Sequence, residues 1–334
     1  MIDIISRMDR AALMPAITRV RVAVLDDFQN VARSLADWSS LEPRATTTFF
    51  NDNVTGDVLV ARLRPFDVIM LIRERTKLPA SLIAGLPNLK LVVTAGMRNL
   101  GIDVAGCTAR GIPVCGTDTG SSSTAELAFG MLLALSRNIV VEDRALREGR
   151  WQTRMGHAVK GLTLGILGLG RLGAQMAGYG RAFGMDVIAW SQNLTPADAA
   201  AAGAEFVEKD DLFRRSDFIS LHVVLSERTR NIVGAAELAR MKPSACLINT
   251  SRAGLVDEAA LIAALTEGRI AGAALDVFDV EPLPPDAPIL SAPNTLLTPH
   301  LGYAARDSYK TYFSQAVEDI AAWLDGQPIR VLTA

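Results

Sequence analysis

Three side chains in the C-terminal half, Arg252, Glu281 and His300, have the types needed for combined anion binding and proton transfer. A guanidinium offers paired N–H donors that match a carboxylate or a carbonyl oxygen. An imidazolium can protonate a carbonyl oxygen, and its neutral form can take a hydroxyl proton in the reverse direction. A carboxylate beside the imidazole fixes its orientation and raises its pKa toward the working range. Taken singly, each has a plain reading: Arg252 as a surface ion pair, Glu281 as a solvated loop acid, His300 as a satisfied loop histidine. Placement is what unites them. The predicted strand Cys246–Thr250 runs into Ser251-Arg252, Ala273–Val277 into Phe278-Asp279-Val280-Glu281-Pro282, and Leu296–Thr298 into Pro299-His300. In an open parallel sheet, ligands bind beyond the carboxyl ends of the strands, so all three belong to one rim.

The same rim receives a glycine turn. Leu162–Leu167 is a short apolar run of the kind a buried parallel strand shows, and it ends at Gly168-Leu169-Gly170-Arg171-Leu172-Gly173. Leu172, Met176, Tyr179 and Phe183 then recur at helical spacing, Gly184 is placed to stop that helix, and Met185–Trp190 reads as a second strand. Strand, G-x-G-x-x-G turn, helix and strand make a dinucleotide-binding unit, in which Gly168, Gly170 and Gly173 permit the tight turn, the approach of a pyrophosphate and close helix packing. The helix start at Arg171 and Leu172 contributes free N–H groups to the phosphates. An NAD-preferring unit usually has an acid at the end of the second strand; here stand Ser191, Gln192 and Asn193, which can hydrogen-bond NAD or NADP. With a nicotinamide to carry hydride, the rim suits hydride transfer on a 2-oxo or 2-hydroxy acid.

These residues need two alternating α/β halves to hold them. In the first, Val20–Leu25, Thr46–Phe50, Val68–Ile72, Leu89–Thr94 and Ile112–Cys115 read as strands separated by short helices, which predicts a doubly wound parallel sheet. Gly116–Ser123 reads as a linker, Ala125–Arg137 as a long helix, and the charged stretch Asn138–Trp151 as an arm or loop. The second half adds strands at Glu205–Glu208 and Phe218–His222 and closes with a helix over Asp307–Leu324. His222 also falls at a strand end, where packing or cofactor-pocket lining is the expected role, and His157 reads as a loop residue.

At 334 residues the chain suits two domains, each with its own core. A net charge of −2 gives no basic field for nucleic acid, and no run of about 18 apolar residues predicts a membrane span. Cys107, Cys115 and Cys246 lack metal-ligand spacing and read as buried thiols in a reducing cytoplasm, so no metal is expected. Residues 1–19 carry Asp3, Arg7, Asp9 and Arg10 and lack a signal peptide's apolar stretch; they read as an N-terminal extension.

Four signatures in order give the chain a family resemblance from about Val20 onward. They are Gly168–Gly173, Asn249-Thr250-Ser251-Arg252-Ala253-Gly254-Leu255-Val256-Asp257, Ala274-Leu275-Asp276-Val277-Phe278 through Glu281-Pro282, and Thr298-Pro299-His300-Leu301-Gly302. The chain resembles the D-isomer-specific 2-hydroxyacid dehydrogenases. The resemblance implies a flavodoxin-like substrate domain, 20–117 plus 302–334, and a Rossmann cofactor domain, 118–301, with the site in the cleft between them. It also implies that Arg252 binds substrate, that Glu281 orients His300, and that His300 is the acid/base. Asp276 would lie near the nicotinamide carboxamide and Thr250 near the cofactor. The substrate carboxylate would rest on backbone N–H groups of Met97 and Arg98, with Arg73 and Arg75 as further substrate-side residues. NAD is the expected cofactor, with NADP open, and a homodimer joined through the cofactor domains is expected, which gives Ala125–Trp151 an interface role. Glyoxylate or hydroxypyruvate reduction is the activity implied. Phosphoglycerate dehydrogenase and a dinucleotide-sensing corepressor are the alternatives.

Overall fold

The computed structural model describes residues 19–119 and 122–333, and all but the last residue of the expected N-terminal extension (residues 1–19) and the centre of the expected linker (Gly120 and Ser121) lie outside them. The described residues form two compact units, 19–119 with 306–333, and 122–305.

In the first unit, strands β1 (Val20–Val24), β2 (Ala45–Phe49), β3 (Val68–Leu71), β4 (Leu91–Thr94) and β5 (Val114–Gly116) form one sheet in the order β2-β1-β3-β4-β5. Every pairing is parallel. Strands covered by helices on both faces must be apolar throughout, and Val22, Ala23, Val24, Val68, Ile69, Met70 and Leu71 expose no surface. Helix Arg306–Leu324 belongs to this unit and sets Tyr309, Tyr312 and Phe313 into its core.

The second unit holds β6 (Thr163–Leu167), β7 (Asp186–Trp190), β8 (Glu205–Phe206), β9 (Phe218–Leu221), β10 (Cys246–Asn249), β11 (Gly272–Leu275) and β12 (Thr295–Leu297). Their order is β12-β11-β10-β9-β6-β7-β8, again all parallel. The order reverses direction at β6, whose neighbours are β7 and β9, so the crevice that binds ligands in open α/β sheets opens at the carboxyl end of β6. Two apolar layers enclose this sheet, one built on Leu167, Phe213, Leu221 and Leu247, the other on Ile166, Met176, Ile248 and Ala274. Each fully buried Leu or Ile there contributes roughly 1.5–3 kcal/mol. That rigidity is what holds the strand tips, and the residues just beyond them, in place.

One expectation about local structure needs correction. Asn138–Trp151 is not an arm or loop: Ile139–Arg147 is a helix, set at 59° to helix Ser123–Ser136. Asn138 adopts the left-handed conformation (φ +53°), which ends one helix and redirects the next, while an Asp143–Arg147 pair one turn apart supports the second. The high charge of this stretch hid its helical spacing. The helix Pro196–Ala201 also went unread, although Thr195 caps it by accepting from the Asp198 N–H and Pro196 opens it. Among the described residues no single helix is long and apolar enough to cross a membrane.

Candidate active site

The glycine turn has the shape a pyrophosphate needs. Gly168 sits at φ +105°, and a Cβ there would stand 2.7 Å from the carbonyl carbon of His222 on the neighbouring strand tip. A Cβ on Gly173 would fall 2.1 Å from the Gly168 carbonyl oxygen, so the helix approaches the strand only because side chains are missing. Around Gly170 nothing lies within 4 Å of an added Cβ, leaving the backbone open at the start of helix Arg171–Ala182. Arg171 is exposed there and Leu172 half-buried. From the tip of β7, the Ser191 hydroxyl accepts a hydrogen bond from the Leu169 N–H at 3.0 Å, which ties the turn to the second strand, while Gln192 is exposed.

Two buried polar atoms on this rim have no partner among the described residues. They are Oγ1 of Thr250 at the tip of β10 and Nδ1 of His222 at the tip of β9. The other ring nitrogen of His222 pairs with the Ser220 hydroxyl at 2.8 Å, and burial pushes its pKa down to about 4, so the ring is neutral near pH 7. An open glycine turn flanked by unsatisfied polar atoms fits a dinucleotide whose hydroxyl and phosphate groups would satisfy them. His222 is a residue for which only its strand-end position gave a signal.

Arg252 is placed by a side chain whose structural part was unforeseen. Asn249, buried at the end of β10, donates through Nδ2 to the Arg252 carbonyl (2.9 Å) and accepts through Oδ1 from the Ser251 N–H (3.0 Å). Ser251 in turn donates to the Leu221 carbonyl of β9 at 2.6 Å. A buried Asn at a strand end mimics a backbone turn, which is the signal that could have found it. The guanidinium of Arg252 donates to the Ser251 carbonyl at 2.7 Å, and its charge acts on Glu281.

Glu281 and His300 meet directly. Nδ1 of His300 lies 2.6 Å from Oε2 of Glu281, while Oε1 of Glu281 accepts from the Phe278 N–H at 2.8 Å. Burial opposes the charge of Glu281, but the hydrogen bond and charge of His300, the Phe278 N–H and Arg252 outweigh it and hold the carboxyl below the usual glutamate range. An ionised Glu281 accepts, so Nδ1 of His300 carries the proton and Nε2 is left for substrate. The His300 ring also stands edge-on to Tyr303, with centroids 5.3 Å apart. Beneath this pair, Asp276 exposes no surface. Its carboxylate accepts from the Thr298 hydroxyl (2.6 Å), the Leu301 N–H (2.7 Å) and the Gly302 N–H (2.8 Å).

The remaining expected residues, Met97, Arg98 and Arg73, belong to the other unit. Arg73 is half-buried with φ +56°, and its guanidinium donates to the Ala95 carbonyl at 3.1 Å, beneath the loop that follows β4. Asn99, buried, fastens that loop by donating to the Arg73 carbonyl (2.7 Å) and the Thr94 hydroxyl (2.8 Å). Met97 and Arg98 project outward, and their N–H groups donate to no described residue, the state an anion-binding loop needs.

The family model described as D-isomer specific 2-hydroxyacid dehydrogenase, NAD binding domain, matches residues 129–302. A glyoxylate reductase of Korarchaeum cryptofilum is 37% identical over 277 residues, covering 81% of this chain and 83% of that protein. A D-3-phosphoglycerate dehydrogenase of Methanocaldococcus jannaschii is 38% identical over 278 residues, 82% of this chain, but the match spans only 53% of its own length. The crystal structure of a phosphoglycerate oxidoreductase from Vibrio cholerae superposes with a TM-score of 0.87 at 39% identity, covering 92% of this chain and 99% of that one.

Proposed function

For a chain that belongs to the D-isomer-specific 2-hydroxyacid dehydrogenase family, we propose that this protein is an NAD(P)-dependent reductase of small 2-oxo acids, with glyoxylate or hydroxypyruvate as the type of substrate. The observation that carries the reading is the His300–Glu281 pair at 2.6 Å on the same sheet rim as the glycine turn. The nicotinamide, when bound, supplies or accepts hydride at the substrate's second carbon. The chain supplies the rest. Arg252 binds the substrate's carboxylate or carbonyl oxygen, and its permanent charge stabilises negative charge developing on that oxygen. His300, doubly protonated, gives the proton on Nε2 to the oxygen, and takes it back in the oxidative direction. Glu281 keeps Nδ1 protonated and the ring in register. The free N–H groups of Met97 and Arg98 suit a carboxylate. Gly168, Gly170 and Gly173, with Arg171, Leu172, Ser191, Gln192 and Thr250, are assigned to the dinucleotide.

The decisive assay is oxidation of NADH and of NADPH with a panel of glyoxylate, hydroxypyruvate, pyruvate and bulkier 2-oxo acids. Turnover of at least one small 2-oxo acid is expected. Silence across the panel with both cofactors would remove the enzyme reading.

A homodimer is part of the same proposal. Helix Ile139–Arg147 and the segment after it expose Ile139, Val140 and Leu146 together with Trp151 (76% exposed) and Met155 (92% exposed). Large apolar side chains gathered on one region favour burial against a second copy. Trp151→Glu with Met155→Glu is expected to convert the dimer to monomer in sedimentation analysis; a wild-type monomer would refute the assembly. The buried thiols Cys107 and Cys115, pushed up to about 11 and about 12 by burial, accord with a cytoplasmic setting in which they stay reduced.

A further inference from the structure

We propose that the turn over residues 191–194 and Arg171 together form a site for the 2′-phosphate of a dinucleotide, so that this chain takes NADPH in preference to NADH. This rests on the reading of the glycine turn as a dinucleotide site. β7 ends at Trp190 beside β6, and two bonds tie its tip to the glycine turn. The Gly168 N–H donates to the Trp190 carbonyl (2.9 Å), and the Leu169 N–H donates to the Ser191 hydroxyl (3.0 Å). The chain then reverses: the Leu194 N–H donates to the Ser191 carbonyl (3.1 Å), which makes Gln192 and Asn193 the two corner residues, both exposed. In a dinucleotide-binding unit this tip is where the adenosine ribose lies.

The chemistry of the tip fits a dianion better than a hydroxyl. A ribose 2′-hydroxyl is usually held by a carboxylate that accepts its hydrogen, and that same carboxylate repels a 2′-phosphate. No Asp or Glu occurs between Asp186, at the opposite end of β7, and Asp198. Asp198 is occupied, because its carboxylate accepts from the Thr195 hydroxyl at 2.6 Å. The acid that follows β8, Glu208, lies on the side of β7 away from β6 and the glycine turn. What the tip offers is donors. The Ser191 hydroxyl accepts from Leu169, which leaves its own hydrogen to give, and the side-chain amides of Gln192 and Asn193 add further N–H groups. Arg171 adds charge. It opens helix Arg171–Ala182 two residues after Leu169, is exposed, and its guanidinium has no hydrogen bond or ion pair with any described residue. A phosphate monoester brings close to two negative charges and three acceptor oxygens at neutral pH, so it can use all of these groups. The neutral 2′-hydroxyl of NADH gains only weaker hydrogen bonds there.

The test is binding to the full chain, read by nucleotide fluorescence with no 2-oxo acid present. Because hydrogen bonds between charged groups are roughly twice as strong as neutral ones, the Kd for NADPH is expected to lie about tenfold or more below that for NADH. Adenosine 2′,5′-bisphosphate should displace NADPH about tenfold better than adenosine 5′-monophosphate, which differs from it only in lacking the 2′-phosphate. Arg171→Ala should narrow the preference for NADPH over NADH by about tenfold. Gln192→Asp sets a carboxylate at the corner of the turn and should invert the preference, moving the ratio of the two Kd values by about 10²-fold. Both residues are exposed, so neither change disturbs the core. Equal or tighter binding of NADH by the wild type would overturn the 2′-phosphate site and leave the dinucleotide reading standing. A Kd ratio that neither substitution moves would overturn it too, by placing the preference elsewhere on the rim. Binding of neither dinucleotide would remove the site and the dinucleotide reading together.

Discussion

His300→Gln is expected to lower kcat for 2-oxo acid reduction by about 10³-fold, in the middle of the range for removal of a positioned general acid. Glutamine can still donate a hydrogen bond to the substrate oxygen, but it cannot release a proton to it. Cofactor affinity should persist, because the glycine turn, Ser191 and Thr250 are elsewhere on the rim. The measurement is steady-state kinetics alongside NADH titration, and unchanged turnover would refute the proton-donor assignment. Glu281→Gln should reproduce part of the loss, since a neutral amide no longer holds the Nδ1 proton or compensates the imidazolium. The pH dependence follows from the direction of the Glu281 shift. Its carboxyl lies below the ordinary value of 4.5, so its orienting charge is present at neutral pH and is lost only as pH falls through that depressed value. The contribution of this pair to folding stability has the same sign: it is complete above the ordinary value and disappears on the acid side. An acid limb attributable to Glu281 above pH 5 would contradict the geometry.

Arg252→Gln comes next in size. Hydrogen bonds to charged groups contribute about 1.5–3 kcal/mol each, so losing a paired interaction with the substrate should reduce kcat/KM by about 10²–10³-fold. Arg252→Lys should recover little, because an ammonium is a point charge that cannot reproduce the planar pair of donors. The substitution also removes a charge that favours ionised Glu281, so the residual activity should decline at a higher pH than in the wild type when the solution is acidified. Equal kcat/KM for the glutamine variant and the wild type would place Arg252 outside the substrate site.

Much of this is legible in the sequence. Parallel strands covered on both faces must be apolar runs, which made β1, β3, β6 and β10 readable to within a residue or two. Arg252, Glu281 and His300 were found by one rule, that chemistry gathers beyond the carboxyl ends of such strands. Elements whose local signals conflict were not readable. Helix Ile139–Arg147 was hidden because its charge and exposed valines resemble a loop, and its start depends on one left-handed asparagine. Asn249 and His222 appeared in the sequence as polar residues at strand ends, with nothing local to distinguish a turn former from an unsatisfied rim atom.

Composition and order along the chain by themselves determined the two α/β units, the nucleotide turn and the identity of the reacting side chains, because periodicity and glycine placement are local properties. Tertiary structure alone decided which strands are neighbours, and so put the Glu281 carboxylate within 2.6 Å of an imidazole 19 residues away. It also decided that the Asp276 carboxylate would accept from the Thr298 hydroxyl and from the Leu301 and Gly302 N–H groups, on either side of that imidazole. The physical reason is that a hydrogen bond between distant residues depends on the register of packed strands and on what burial leaves unsatisfied, and neither quantity exists until the chain has folded.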